Sequence, residues 1–76
     1  MSIYDPQPDE AEAVLRKLSP AQFRAARSGT LDPKRPGYLN LRTALWERGV
    51  FTTADRKDVL TPLGKEVQAL IRKRLA

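Results

Sequence analysis

The stretch that decides the fold runs from Gly37 to Pro62: Gly-Tyr-Leu-Asn-Leu-Arg-Thr-Ala-Leu-Trp-Glu-Arg-Gly-Val-Phe-Thr-Thr-Ala-Asp-Arg-Lys-Asp-Val-Leu-Thr-Pro. At about 100° per residue, Tyr38, Leu41 and Leu45 share one helical face, with Ala44 and the stem of Arg48 beside it. Asn40, Thr43 and Glu47 lie opposite, and Leu39, Arg42 and Trp46 take a flank. A helix is therefore expected from Tyr38 to Arg48, stopped by Gly49. Val50-Phe51-Thr52-Thr53 then has the β-branched and aromatic content of a strand. Ala54 to Asp58 is polar enough for an exposed turn, and Val59-Leu60 pairs back as a second strand. Two short strands are marginal alone in water, so this hairpin must lean on helices. Trp46 has two readings: a lid over the seam between helix and hairpin, or an exposed anchor for a protein partner.

Downstream, Thr61-Pro62 caps and opens a last helix. Leu63, Val67, Leu70, Ile71 and Leu75 form its inner face, and Lys65, Gln68, Arg72 and Lys73 its outer one. Upstream, Thr30 to Pro36 carries two prolines and reads as a loop, with Leu31 anchored inside and a single turn opened by Pro33 and capped by Asp32. Before it, Ser19-Pro20-Ala21-Gln22 spells a helix start: a serine cap, a proline at the first helical position and a glutamine placed for a capping box. Leu18 and Phe23 suit a hydrophobic staple around that cap. The helix should run from Pro20 to Ser28 and end at Gly29. A first helix, from Asp9 to Leu18, is marked by Ala11, Val14, Leu15 and Leu18 on one face. It meets the second at Ser19 as either a bent rod or a corner. Residues 1–8, with Asp-Pro-Gln-Pro, form an extended lead-in to a single domain over 9–76.

A chain of 76 residues supports one small core. It contains no cysteine and no histidine. Disulfides, thiolate or imidazole metal sites and imidazole-dependent catalysis are thereby excluded. The expectation is a non-enzyme without cofactors or an evident small-molecule substrate. No apolar run approaches the ~18 residues of a membrane span. No secretion signal is visible, so a cytoplasmic location is expected. The net charge is +5 and uneven. Residues 1–18 hold four acids against two bases, a net of −2, and residues 19–76 hold five acids against twelve bases, a net of +7. A basic body points to a polyanionic partner, nucleic acid first.

Three segments resemble landmarks of compact winged helix-turn-helix DNA-binding domains such as those of the MarR and PadR regulators. They are Leu18-Ser19-Pro20-Ala21-Gln22-Phe23-Arg24-Ala25, Leu41-Arg42-Thr43-Ala44-Leu45-Trp46-Glu47-Arg48-Gly49-Val50, and Leu60-Thr61-Pro62-Leu63-Gly64-Lys65-Glu66-Val67. The resemblance spans about residues 18–71. It implies a mainly α fold of three to four helices with a two-stranded wing, and a transcriptional regulator that binds duplex DNA. Residues 38–48 would be the recognition helix in a major groove and 50–61 the wing. On that pattern Asn40 and Thr43 contact bases or phosphates, with Arg42 close by; asparagine can read adenine and threonine a thymine methyl. Arg56 and Lys57 fall at the wing tip, and Lys34 and Arg35 precede the helix as backbone clamps. A homodimer through the terminal helices is the implied assembly. Two features depart from the pattern: the proline-rich segment leaves little room for the usual positioning helix, and Glu47 is a carboxylate on the DNA side. Both favour an alternative, a winged-helix protein-interaction module without DNA binding.

Overall fold

A computed structural model describes residues 8–75. The chain is mainly helical, with a two-stranded antiparallel hairpin set between its third and fourth helices, a layout consistent with a small winged helix. In order these are α1 (Pro8–Lys17), α2 (Pro20–Ser28), α3 (Tyr38–Glu47), β1 (Phe51–Ala54), β2 (Lys57–Leu60) and α4 (Pro62–Leu75). The extended lead-in expected for residues 1–8 lies outside the described residues, except that Pro8 already opens α1.

Several helix ends are written in local chemistry. Ser19 sits in extended backbone and accepts from the Gln22 N–H, while Gln22 returns Oε1 to the Ser19 N–H at 3.1 Å, completing the capping box. Leu18 and Ser19 separate α1 from α2, and the extended backbone of Ser19 interrupts the helix there. Gly29 closes α2 by donating its N–H to the Ala25 carbonyl at 2.8 Å. Asp32 caps a single turn, its carboxylate accepting from the Lys34 N–H at 2.9 Å, and no helix forms between α2 and α3. The prolines there remove donors that a helix needs.

The end of α3 sets the hairpin in place. Gly49 takes φ +75° and its N–H reaches the Trp46 carbonyl, while the Val50 N–H reaches the Leu45 carbonyl at 2.9 Å. This is a Schellman motif, whose usual apolar contact is supplied by Leu45 and Val50, both fully buried. Arg48, expected inside the helix, is its cap. The strands pair Phe51 with Leu60 and Thr53 with Asp58. Pleat alternation puts these four on one face, graded from apolar at the base to polar towards the tip. The turn shrinks from the expected five residues to Asp55 and Arg56, at φ +50° and +63°. Positive φ at both central positions is what matches a two-residue turn to the right-handed twist of the strands.

The core gathers Ala11 and Leu15 of α1, Ala25 and Ala26 of α2, Leu45 of α3, Val50, Phe51 of β1, and Val67 and Ile71 of α4. Leu18, Phe23, Leu31, Leu41, Leu60, Leu63 and Leu70 pack around it. The amphipathic faces read for α1, α3 and α4 account for Ala11, Leu15, Leu45, Val67 and Ile71, whereas Ala25 and Ala26 belong to a helix for which no inner face was expected. Leu75 is a correction, and of the two readings of Trp46 the lid is not met. Leu75 is 54% exposed, because it lies in the last turn of α4 beyond the reach of the core. Trp46 is 58% exposed and covers no seam: the Schellman turn fills the helix–hairpin junction with Leu45 and Val50. Glu12 of α1 binds Arg74 of α4 and lies 3.5 Å from Arg16. The Arg74 guanidinium, first of all by its hydrogen bond, holds the Glu12 carboxyl below its ordinary pKa.

Candidate nucleic-acid interface

The outward face of α3 is carried by Leu39, Asn40, Thr43, Trp46 and Glu47, all exposed. Spacings of three, four and seven put them on one stripe. Asn40 and Thr43 have no side-chain hydrogen bond among the described residues, so their polar groups are available to a ligand. Leu39, 70% exposed, and Trp46 flank them with apolar surface. Glu47 is exposed and makes no ion pair among the described residues, Arg48 included.

Arg42, expected from the resemblance as a DNA-contacting residue close by Asn40 and Thr43, is turned to the hairpin. Its Nε donates to Asp58 Oδ1 at 2.9 Å and its Nη2 to Thr53 Oγ1 at 2.6 Å. The Tyr38 hydroxyl donates to the other Asp58 oxygen. Asp58, expected in an exposed turn, lies in β2 with its side chain only 12% exposed. One carboxylate thus ties two α3 side chains, a turn apart, to the polar end of the hairpin. The hydrogen bond to Asp58 raises the Tyr38 pKa above the ordinary phenol value, since an ionised phenol would lose that bond and face the carboxylate charge. Tyr38, read from periodicity as a core residue, is half-buried with its ring tip in this network. The residue the sequence reading missed is Asp58; its position opposite Thr53 in a hairpin register was the available signal.

Arg56 and Lys57 are exposed at and beside the hairpin tip, and neither makes an ion pair among the described residues. Arg56 holds its backbone in the left-handed region, a conformation that costs a side-chain-bearing residue about 1–2 kcal/mol. Arg56→Gly is therefore expected to stabilise the hairpin by about 0.5–1 kcal/mol once the flexibility of glycine is counted. The same change removes a charge from the tip. Chemical denaturation checks the gain, and a destabilised variant would contradict this account of the turn.

Lys34 and Arg35 are exposed on the turn before α3. The groove there is lined by Pro33, Arg35, Gly37, Tyr38, Leu39 and Asn40, which brings Arg35 and Asn40 to one mouth. The structure thus groups Lys34, Arg35, Asn40 and Thr43 around the start and outer face of α3, puts Arg56 and Lys57 on the hairpin tip, and gives Arg42 internal partners. Among the described residues there is no group of three or more acidic side chains able to hold a metal ion. No helix among them is long and apolar enough to cross a membrane. No family model, no curated protein and no solved structure matches the chain.

Proposed function

We propose that the protein binds duplex DNA as a small winged-helix module, in the manner of a transcriptional regulator. The observation that carries this reading is the pairing of an exposed α3 face, bearing unengaged Asn40 and Thr43, with a tight hairpin whose tip presents unpaired Arg56 and Lys57. The division of labour follows from residue chemistry. Cations at the tip and at Lys34 and Arg35 neutralise phosphates, which supplies affinity and no sequence information. Asn40 and Thr43 offer an amide and a methyl-bearing hydroxyl to base edges. Arg42 acts as a positioning residue that fixes the hairpin against α3.

Binding to random duplex across a salt series tests this. The wild type is expected to bind at low salt, with the logarithm of affinity falling against log salt at a slope of about −3 or steeper. Arg56→Ala with Lys57→Ala should reduce that slope by about 2, at one released counterion per lost phosphate contact. Asn40→Ala should leave the slope intact and reduce discrimination between sequences. Absence of wild-type binding at low salt overturns the proposal. A second reading is favoured by one observation: Leu39 and Trp46 expose apolar surface on the same face as Glu47. A salt-independent affinity for a protein, without any shift of duplex DNA, would establish a protein-interaction module instead.

A further inference from the structure

Three arginines that sit as ordinary outward positions in the sequence converge in the fold. Arg24 and Arg27 project from adjacent turns of α2, and Arg72 from the last turn of α4. The register between the helices is fixed by Gln68, whose Nε2 donates to the Arg27 carbonyl at 3.1 Å. Arg72 follows Gln68 by one turn on the same side of α4. With Ser28, the three arginines line an open groove of ≈ 520 Å³. All three are exposed, and none makes an ion pair among the described residues; the acids that do pair are Glu12, with Arg16 and Arg74, and Asp58, with Arg42.

The arrangement continues towards α3. Arg24 also lines the neighbouring groove together with Arg35, Leu31 and Leu41. The one acid there, Asp32, accepts the Lys34 N–H. Basic side chains therefore run from Arg35 at the edge of α3, through Arg24, to Arg27 and Arg72. The helix dipole favours Arg27 and Arg72 singly, each near a C-terminus, but accounts neither for Arg24 nor for the meeting of all three. Like charges sharing a groove repel one another, and an anion that enters relieves the repulsion. Guanidinium groups suit phosphate oxygens because their planar forks donate two parallel hydrogen bonds. A stripe of four arginines across two adjoining grooves fits an extended chain of phosphates better than one small anion, which would leave an end of the stripe uncovered.

We infer that Arg24, Arg27 and Arg72 form a second backbone-phosphate site for nucleic acid, on the α2 side of α3. The hairpin, which packs on α3 through β1, supplies the other side. The recognition helix is then held between two sets of phosphate contacts. This inference rests on the duplex-binding reading above and adds to it residues that the resemblance does not assign.

The test uses the full chain, random duplex DNA and a salt series, with Arg24→Gln, Arg27→Gln and Arg72→Gln combined. The slope of log affinity against log salt is expected to become shallower by about 2 to 3, at roughly 0.9 per phosphate contact. The loss should add to that of the hairpin-tip variant, since the two patches share no residue. Replacing the same three arginines by lysine should keep most of the slope, because the counterions released depend on charge. If the combined variant fails to fold, single variants carry the test, each removing about one unit of slope. A wild-type slope in the folded variants overturns the inference, and if the hairpin-tip variant still loses its share the duplex-binding reading survives. No duplex binding by the wild type defeats both. Loss of binding to vesicles containing phosphatidylserine, with the duplex slope unchanged, would assign the arginines to a membrane surface and also overturns the inference.

Discussion

Replacing Gly64 by alanine is expected to destabilise the protein by about 3 kcal/mol, the upper part of the range for forcing a group into a filled site. For a domain of this size that corresponds to a fall in Tm of roughly 15 °C. Gly64 is buried in the first turn of α4. A Cβ there would land well inside van der Waals distance of the Val50 carbonyl oxygen, and 3.0 Å from both the Val50 carbonyl carbon and Leu60 Cδ2. The Leu60 methyl can move; the backbone of Val50 cannot. Its oxygen accepts from the Thr61 N–H at 3.0 Å, and its own N–H is committed to Leu45. Thr61 reinforces the junction, donating its hydroxyl to the Gly49 carbonyl and accepting from the Gly64 N–H at 2.9 Å. Relief therefore requires the start of α4 to lift from the base of the hairpin. Thermal unfolding followed by far-ultraviolet circular dichroism gives the answer, and a Tm within a few degrees of wild type would show that α4 yields freely. Since the hairpin is anchored at this junction, the duplex binding proposed above should weaken together with Tm.

Asp58→Ala carries the second large effect. The carboxylate accepts from the Tyr38 hydroxyl and from Arg42 Nε, and its removal strands a guanidinium beside a half-buried hydroxyl. A hydrogen bond to a charged group contributes about 1.5–3 kcal/mol, so a loss of about 2 kcal/mol is expected. The damage should be local. Amide exchange is expected to accelerate over residues 53–58 while α1 and α4 keep their protection. Spectroscopic titration of the phenol provides an independent reading. The hydrogen bond to Asp58 raises the Tyr38 pKa, so its contribution to stability is complete below the unfolded value and is lost as pH climbs through the folded one. In Asp58→Ala the phenol should ionise at lower pH than in the wild type. Equal titration curves in the two proteins would mean that the pair does not persist in solution.

The legible parts of the fold were those whose physics is local. The capping box at Ser19 and Gln22, the stop at Gly29, the turn at Gly49 and the cap at Thr61 each depend on a few neighbouring residues, and the sequence carries them openly. The helix faces were legible for a similar reason, since periodicity reports burial wherever a helix meets the core along its length. Leu75 breaks that rule because the core ends before α4 does. The hairpin was misjudged in length because Asp55-Arg56 lacks the glycine that usually announces a two-residue turn.

The site was harder to read, because its geometry is tertiary. No pattern in residues 38–48 distinguishes an arginine that faces a ligand from one captured by a carboxylate sixteen residues later. Gly64 stands in the third landmark of the resemblance, but the reason for it, the approach of Val50 fourteen positions earlier, is not stated by its neighbours in sequence. Arg24, Arg27 and Arg72 were visible singly as solvent-facing charges; only the docking of α4 on α2 makes them a group.

Trp46 is the one tryptophan in the chain, and it stands exposed near the C-terminal end of α3, on the flank of its outer face, instead of inside the core. The protein therefore has an optical reporter on the surface proposed to meet DNA. More than half of the residue is already exposed in the folded state, so denaturation changes its surroundings less than it would those of a buried tryptophan. A base or a partner side chain laid against α3 would change them directly. Intrinsic fluorescence is thus a sensor of occupancy for this molecule, and the integrity of its fold has to be followed through the backbone.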